Sequence, residues 1–345
     1  FLRRGRPRGQ IHLRFGEGLT IRELVQVDEL EAGIDERQKQ ALVPTLAFEV
    51  AVRMNAATPI TATAIVTLIL LAGGNRAQSL AEIQLPARAS AALIRHRGLE
   101  IVGRSNFRDA DAVLATLAQL HATSIVSYHD EGTERLYSIS ADQHHNAAFY
   151  RNTAIHYFIL DAFVEIALLD AASAGGDRSE AFFARTSELR ELFKFEFYLP
   201  RRTDYRSEIE RRVSDRFDDW EEALRGGEAG IREIFNRVQL LVAHGILRSF
   251  ADAYRVAAKV LATAEADAVD NKSGFISRCL KTGKQESLQG RVFSAESISK
   301  SLYETAWKLA DYQGLLAADK TEARREFHEE FRGIKRRLDE ILAIT

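Results

Sequence analysis

The chain has 345 residues, and because a compact domain holds roughly 100 to 200 residues, this length predicts two or more packed units. Apolar residues make up 46% and charged residues 28%, a mixture that excludes a disordered or collagen-like chain. The net charge of -2 argues against nucleic acid as a partner, and the single cysteine, Cys279, excludes an internal disulfide and fits a reducing compartment.

The first predicted element is a strand at residues 10–17, where apolar residues alternate with polar or small ones. The chain opens with Phe1, and Met54 is its only methionine. We therefore interpret the chain as a piece of a longer polypeptide and the strand as the edge of an upstream α/β domain.

Helical periodicity dominates the rest of the sequence. Thr20 and Glu23 form a capping box, which predicts a helix directly after Thr20. The helix after Asn55 is expected to start with Thr58 as cap and Pro59 as its first residue, and it is apolar on all sides, as is typical of a buried core helix. Helices are predicted at about residues 36–55, 58–72, 79–98, 108–121, 142–172, 179–198, 203–224, 228–244, 247–267, 294–313 and 320–343.

One β-hairpin is predicted at residues 124–139. The predicted fold class is therefore mainly α: a multi-helical region with one N-terminal strand from an upstream α/β domain and one β-hairpin. We expect three parts: residues 1–33 as the tail of the upstream domain, 35–175 as a helical unit with the hairpin, and 177–345 as a charged helical unit. No apolar segment reaches the roughly 20 residues that a membrane-spanning helix needs.

His156 and Asp161 have the H-x-x-x-x-D spacing of the acid-base pair of glycerolipid acyltransferases. In that chemistry the histidine takes a proton from a substrate hydroxyl and the aspartate orients its ring, so the two side chains must touch. Five positions along a helix place them roughly 140° apart, on different faces. We therefore predict that His156 is a structural residue.

Three further motifs are not predicted to form sites. Residues 15–18, Phe-Gly-Glu-Gly, resemble a phosphate-holding motif but lack the Thr-Arg or Ser-Arg pair that grips a phosphate. His144 and His145 are adjacent and point to different helix faces, so no metal site is expected. Residues 281–284, Lys-Thr-Gly-Lys, are interpreted as ordinary loop composition and not as a phosphate-binding loop.

The basic run at Arg3, Arg4, Arg6 and Arg8 has no neighbouring acidic residue. The other arginine-rich stretches alternate with acidic residues, which is typical of a solvated helix face with ion pairs one turn apart. The first run is therefore the candidate for contact with anionic lipid headgroups at a membrane surface.

Four segments together resemble the C-terminal portion of bacterial glycerol-3-phosphate 1-O-acyltransferases of the PlsB type. They occur in the family's order and cover most of the chain. They are GQIHLRFGEGLTIREL, VPTLAFEVAVRMNAATPITATAIVTLILL, FYRNTAIHYFILDAFVEIALL and ELRELFKFEFYLP.

This resemblance implies acyl transfer from acyl-CoA or acyl-carrier protein to the sn-1 hydroxyl of glycerol 3-phosphate, which gives lysophosphatidate, the first step of phospholipid synthesis. It implies no cofactor and no metal, and a peripheral place on the cytoplasmic face of the cell membrane. The family's catalytic and phosphate-binding motifs precede the segment seen here, so no catalytic or substrate-binding residue is assigned to this chain. Gly18 stands where the family usually has proline, which affects the turn and hardly the function.

We expect this portion to be a scaffold or regulator of the catalytic domain, with Arg14, Arg151 and Asn152 near the contact. The helix at residues 58–72 could instead line an acyl channel, although core packing is expected of so apolar a helix. Two alternatives stay open: acyl transfer to dihydroxyacetone phosphate, and a non-catalytic α-helical adaptor that binds a protein partner.

Overall fold

The computed structural model describes residues 12–20, 36–74, 76–103, 106–263 and 271–345. Within these ranges the fold is mainly α, as predicted. The elements are α1 Glu36–Ala57, β1 Ile60–Thr61, α2 Ala62–Ala72, β2 Gln78–Ser79, α3 Leu80–His96, β3 Ile101–Val102, α4 Ala110–Ala122, β4 Ser127–His129, β5 Leu136–Ser138, α5 His144–Asn152, α6 Ile159–Ala172, α7 Arg178–Phe193, α8 Arg202–Ser214, α9 Trp220–Arg225, α10 Gly227–Arg237, α11 Ala243–Ala262, α12 Lys272–Leu288, α13 Lys300–Tyr312 and α14 Thr321–Ile344.

The helix α11 lies at the centre of the structure, and 18 of its 20 residues are buried. Its most extensive contact is with α14, and it also packs on α2, α6, α12 and α13. Such all-round burial is typical of a core helix. At Gly245 an added Cβ would lie 3.0 Å from Cβ of Ala72, so the absence of a side chain lets α11 approach α2 closely.

Two small sheets connect the helices of the N-terminal half. In one, β1 pairs in parallel with β3, with Ile60 opposite Ile101. In the other, β4 and β5 form the predicted antiparallel hairpin, and β2 adds to β5 as a third strand that the sequence did not predict.

The predicted start of the apolar helix was wrong by a few residues. Ile60 and Thr61 are extended because they pair with β3, and α2 therefore begins at Ala62. Thr61, not Thr58, is the N-cap, and its hydroxyl accepts a hydrogen bond from the backbone N–H of Ala64 at 3.1 Å. The eight residues from Ala64 to Leu71 are buried, as expected of a core helix.

The capping box of α3 is confirmed. The Ser79 hydroxyl accepts a hydrogen bond from the backbone N–H of Glu82, and the Glu82 carboxylate accepts one from the backbone N–H of Ser79. Three predicted helices are interrupted: 142–172 by a short 3-10 turn at Ile155–Tyr157, 203–224 between α8 and α9, and 228–244 after Arg237.

The helix α12 was missed, and residues 281–284 lie inside it and not in a loop. Its N-terminal signal is Asn271, whose side chain accepts a hydrogen bond from the N–H of Gly274. Gly274 and Gly283 weaken the helical pattern of this segment, which explains why the sequence indicated a break.

The predicted N-terminal strand is not formed by its described part, since residues 12–20 carry no strand. The side chains of Leu13 and Phe15 are exposed there. The prediction allowed an unpaired segment, and no neighbouring strand is placed beside these residues. Residues 10 and 11, the predicted helix after Thr20 and the run Arg3 to Arg8 lie outside the described residues.

Candidate functional site

The Asp161 carboxylate is fully buried and bonds to arginine. Arg97 donates to both of its oxygens, at 2.6 and 2.8 Å. Arg212 and Arg216 lie farther out, at 3.8 and 3.9 Å. This bidentate geometry is that of a strong, charge-assisted pair. The carboxylate therefore holds the end of α3 against α6.

His156 lies in the 3-10 turn before α6, and its ring packs on Tyr157 with centroids 4.0 Å apart. Burial lowers its pKa to about 4, although a hydrogen bond to the backbone of Asn55 partly opposes this. No hydrogen bond joins His156 to Asp161 among the described residues. A histidine with so low a pKa is a weak base near neutral pH, and this arrangement does not provide the oriented pair that the chemistry requires.

A second buried carboxylate, Glu165, continues the charge cluster one turn along α6. It accepts from Arg216 at 2.6 Å and from the backbone N–H groups of Val242 and Ala243 at 2.8 to 3.0 Å. A carboxylate at this position satisfies N–H groups that a helix start leaves unpaired. Burial raises the pKa of Glu165, while Arg216 and the two N–H groups oppose that rise. The cluster thus fixes the start of α11.

The polar residues singled out on α5 hold that helix to the segment after α12. Arg151 is buried and donates to both carboxylate oxygens of Glu296, at 2.8 and 2.9 Å, and Asn152 accepts from the same guanidinium. Nδ1 of His144 lies 3.0 Å from the hydroxyl of Ser294, and burial lowers the pKa of this histidine. Their contacts are thus with the chain itself.

A groove of about 660 Å3 lies among the described residues, and its volume is within the usual range for ligand pockets. Its lining comes from α2, α3, α10, α11, α14 and the segment between α10 and α11, and is mainly apolar. His244 and Arg76 add polar groups. Burial lowers the pKa of His244 to about 3, and the nearby charge of Arg248 lowers it further. The sequence did not indicate this groove, because its lining residues are far apart in the chain.

The helix α2 contributes to both the core and the groove, and an acyl channel lined by this helix stays a prediction. Most of its residues pack in the core, whereas Leu68, Ile69 and Ala72 also line the groove.

Within the described ranges, no group of three or more histidine, cysteine, aspartate or glutamate residues could hold a metal ion.

The outward face of α1 carries an apolar stripe, which we define as Val43, Val50 and Met54. These positions lie at i, i+7 and i+11 and so share one face of the helix. The side chains of Val43 and Met54 are 68% and 67% exposed, and Val50 is 41% exposed. An apolar stripe at this exposure is typical of a surface that contacts another protein segment.

Polar contacts hold α1 to the rest of the structure near the stripe. Tyr157 donates its hydroxyl hydrogen to the carbonyl oxygen of Thr58 at 2.7 Å, directly after the helix. Arg201 pairs with Glu49, and Arg53 donates to the carbonyl oxygens of Glu17 and Gly18. Residues 15–18 are thus held through their backbone, and Arg14 beside them is exposed.

Comparison with known proteins decides the family. The family described as the glycerol-3-phosphate acyltransferase C-terminal region matches residues 2–319. This chain belongs to that family. Relatives from Mycobacterium tuberculosis and Mycobacterium bovis, named "Putative acyltransferase plsB1", are 35% identical to it over 348 residues.

The family member described here spans 55% of the length of those relatives, while the match covers 99% of this chain. None of the helices in the described ranges is both long and apolar enough to cross a membrane.

Proposed function

We propose that this chain is the C-terminal region of an enzyme that transfers a fatty acyl group from acyl-CoA or acyl-carrier protein to the sn-1 hydroxyl of glycerol 3-phosphate. The observation that carries this proposal is the family match over residues 2–319. In the reaction the thioester C–S bond breaks and an ester C–O bond forms. A general base takes the hydroxyl proton and passes it to the leaving sulfur, so that the free thiol of CoA or acyl-carrier protein is released. The base, its aspartate and the arginines that bind the phosphate belong to a part of the enzyme outside this chain.

The role of this region is to scaffold that catalytic part. The apolar stripe of α1 supports this role, since it is an outward apolar surface on a helix that polar contacts hold to the rest of the structure. The exposed side chains of Leu13 and Phe15 extend the apolar character of this end of the structure. We propose that the catalytic part covers the stripe, and that the enzyme acts peripherally on the cytoplasmic face of the cell membrane.

The adaptor alternative finds less support in the charged helices. On α8, Arg211 and Arg212 both pair with Glu208, and on α14 Arg332 pairs with Glu329. These charges are neutralised within their own helices, as expected of a solvated face. Transfer to dihydroxyacetone phosphate remains the second candidate substrate reaction.

The test uses the longer polypeptide that contains this chain and follows labelled acyl transfer from acyl-CoA to glycerol 3-phosphate, with dihydroxyacetone phosphate as the competing acceptor. We expect transfer to glycerol 3-phosphate, and we expect His156→Ala to keep kcat within a few-fold while lowering the yield of folded protein. Loss of a general base costs about 100-fold or more. A loss of that size in a folded His156→Ala variant would move the active site into this chain, and no acyl transfer at all would contradict the proposed function.

A further inference from the structure

The outer face of α12 combines lysine with an exposed leucine. Lys281, Lys284 and Leu288 lie at i, i+3 and i+7, so they share one face of the helix. All three are exposed, and Leu288 is 83% exposed. The opposite face is buried and is formed by Phe275, Ile276, Cys279, Gly283 and Glu286.

No acidic side chain neutralises this face in the described ranges. The one carboxylate of α12, Glu286, is 2% exposed and pairs inward with Arg255 and Lys259 of α11. No described carboxylate lies within ion-pair distance of Lys281, Lys284 or the exposed Arg291, which follows the helix by three residues.

The outer face of α14 shows that such a pattern is not general in this chain. Its exposed arginines each have a carboxylate partner within one helical turn. The pairs are Arg325 with Glu322, Arg332 with Glu329, and Arg336 with Glu340. Both helices present basic residues to solvent, but Lys281 and Lys284 of α12 have no ion-pair partner among the described residues and share their face with an exposed apolar side chain.

We propose that the outer face of α12 binds the surface of an anionic lipid bilayer. This inference rests on the proposed function for the presence of a bilayer, and it names the surface that meets it. Lys281, Lys284 and Arg291 would lie among the headgroup phosphates, and Leu288 would enter the boundary between headgroups and acyl chains. Basic residues and an apolar residue on one helix face fit this boundary, because it offers anionic groups above an apolar layer.

The test is flotation of the full chain with vesicles of phosphatidylcholine alone or mixed with phosphatidylglycerol, at low and high salt. The variant K281Q/K284Q/R291Q removes two charges from the face and a third from Arg291, which follows the helix. The matched control R325Q/R332Q/R336Q removes three charges from α14. Each basic residue near an anionic surface changes binding about five-fold, so three should change it on the order of 100-fold. We expect the α12 variant to lose binding to the anionic vesicles by 10- to 100-fold and the α14 control to bind like the original chain.

Leu288→Gln should weaken vesicle binding several-fold even at high salt, where screening reduces the charge contribution. Equal losses in both triple variants, or no loss in the α12 variant, would overturn the proposal. Binding of the chain to soluble polyglutamate but not to anionic vesicles would overturn it in favour of an acidic protein partner. Circular dichroism before flotation shows whether each variant is folded.

Acyl transfer by the longer polypeptide in non-ionic detergent separates this inference from the proposed function. The α12 variant should keep that activity, because its substitutions lie on a solvent-exposed face. If the longer polypeptide transfers acyl groups but the α12 variant binds vesicles like the original chain, only the proposal that α12 binds the bilayer is refuted. Absence of acyl transfer would refute the proposed function.

Discussion

The two long helices α1 and α11 have opposite surroundings. Of the 20 residues of α11, 18 are buried, including polar ones such as Asp252 and His244. By contrast, α1 presents Val43 and Met54 to solvent. The core of this chain therefore accounts for the stability of α11, whereas the apolar side of α1 is exposed in the described structure.

The ion pairs that hold the two helices differ in the same way. Glu165 is fully buried between Arg216 and the start of α11. Glu49 on α1 pairs with Arg201, whose side chain is 61% exposed. A buried pair is costly to break because one charge is left without a partner, whereas an exposed pair contributes little.

The largest expected effect is that of Glu165→Ala. It leaves the N–H groups of Val242 and Ala243 without their side-chain acceptor and removes the carboxylate partner of the buried Arg216 guanidinium, which keeps its hydrogen bond to the carbonyl oxygen of Leu240. We expect the free energy of unfolding to fall by about 3 to 5 kcal/mol. Chemical denaturation followed by circular dichroism measures this change.

Glu49→Ala is the matched control on α1, and it should change the free energy of unfolding by at most about 1 kcal/mol. Similar losses for both substitutions would show that α1 is held as firmly as α11, and the contrast between the two helices would then fail.

The next prediction concerns His244 of α11, whose burial should lower the free energy of unfolding in acid. An unfolded histidine has a pKa of about 6.5, whereas burial lowers the pKa of His244 to about 3. Between these values the unfolded chain takes up a proton that the folded chain does not. The free energy of unfolding should therefore fall as the pH drops below about 6.5, by up to about 1.4 kcal/mol per pH unit from this one group.

Replacement of His244 by leucine isolates this contribution, since the variant should lose that part of the slope below pH 6.5. Glu196 acts in the opposite direction. Burial raises its pKa to about 7 in the fold, so the stability that it contributes is present at low pH and is lost as the pH rises through 7. The pH dependence of the free energy of unfolding, measured for Glu196→Gln and for the original chain, separates the contribution of Glu196 from that of His244. An unchanged acid slope in His244→Leu would show that His244 is not the group responsible.

Much of the helical content could be predicted from local signals. The capping box at Ser79 and Glu82 and the apolar period of α2 both depend on residues near each other in sequence. The start of α2 could not be predicted, because it depends on pairing of Ile60 with Ile101, 41 residues away in the sequence. Likewise, α12 depends on burial of Phe275 and Cys279, which outweighs its weak helix propensity.

The contacts of the candidate site were likewise predictable only where they depend on residues close together in the sequence. Sequence spacing predicted that His156 and Asp161 do not touch, and no hydrogen bond joins them in the part of the chain that the structure describes. The physical reason differs, because His156 lies in the 3-10 turn before α6 and not on one α-helix with Asp161. Sequence spacing could not assign Asp161 to Arg97, since these residues meet only when α3 and α6 pack. The exposed face of α12 with Lys281 and Lys284, which have no ion-pair partner among the described residues, was equally hidden, because exposure depends on which face of the helix the core buries.

The smallest expected effect on stability concerns the apolar stripe of α1, and it tests most directly the difference between the exposed helix α1 and the buried helix α11. Exposed substitutions away from special features usually change stability by less than about 0.5 kcal/mol. Val43→Gln and Met54→Gln should therefore leave the free energy of unfolding of this chain nearly unchanged. Val256→Gln, the same kind of change inside α11, where the side chain is fully buried, should be destabilising because it buries an amide among apolar groups.

In the longer polypeptide, substitutions in the apolar stripe of α1 should have a measurable effect, although they leave the isolated chain stable. If the catalytic part covers the stripe, the combined variant V43Q/M54Q should reduce acyl transfer or increase protease cleavage between the two parts, although the isolated chain remains stable. The control is Leu114→Gln on α4, which replaces another exposed apolar side chain by a polar one outside the stripe. Equal activity and equal protease resistance in V43Q/M54Q and in the control would show that the stripe faces solvent in the whole protein, and the contact of the catalytic part would have to lie elsewhere.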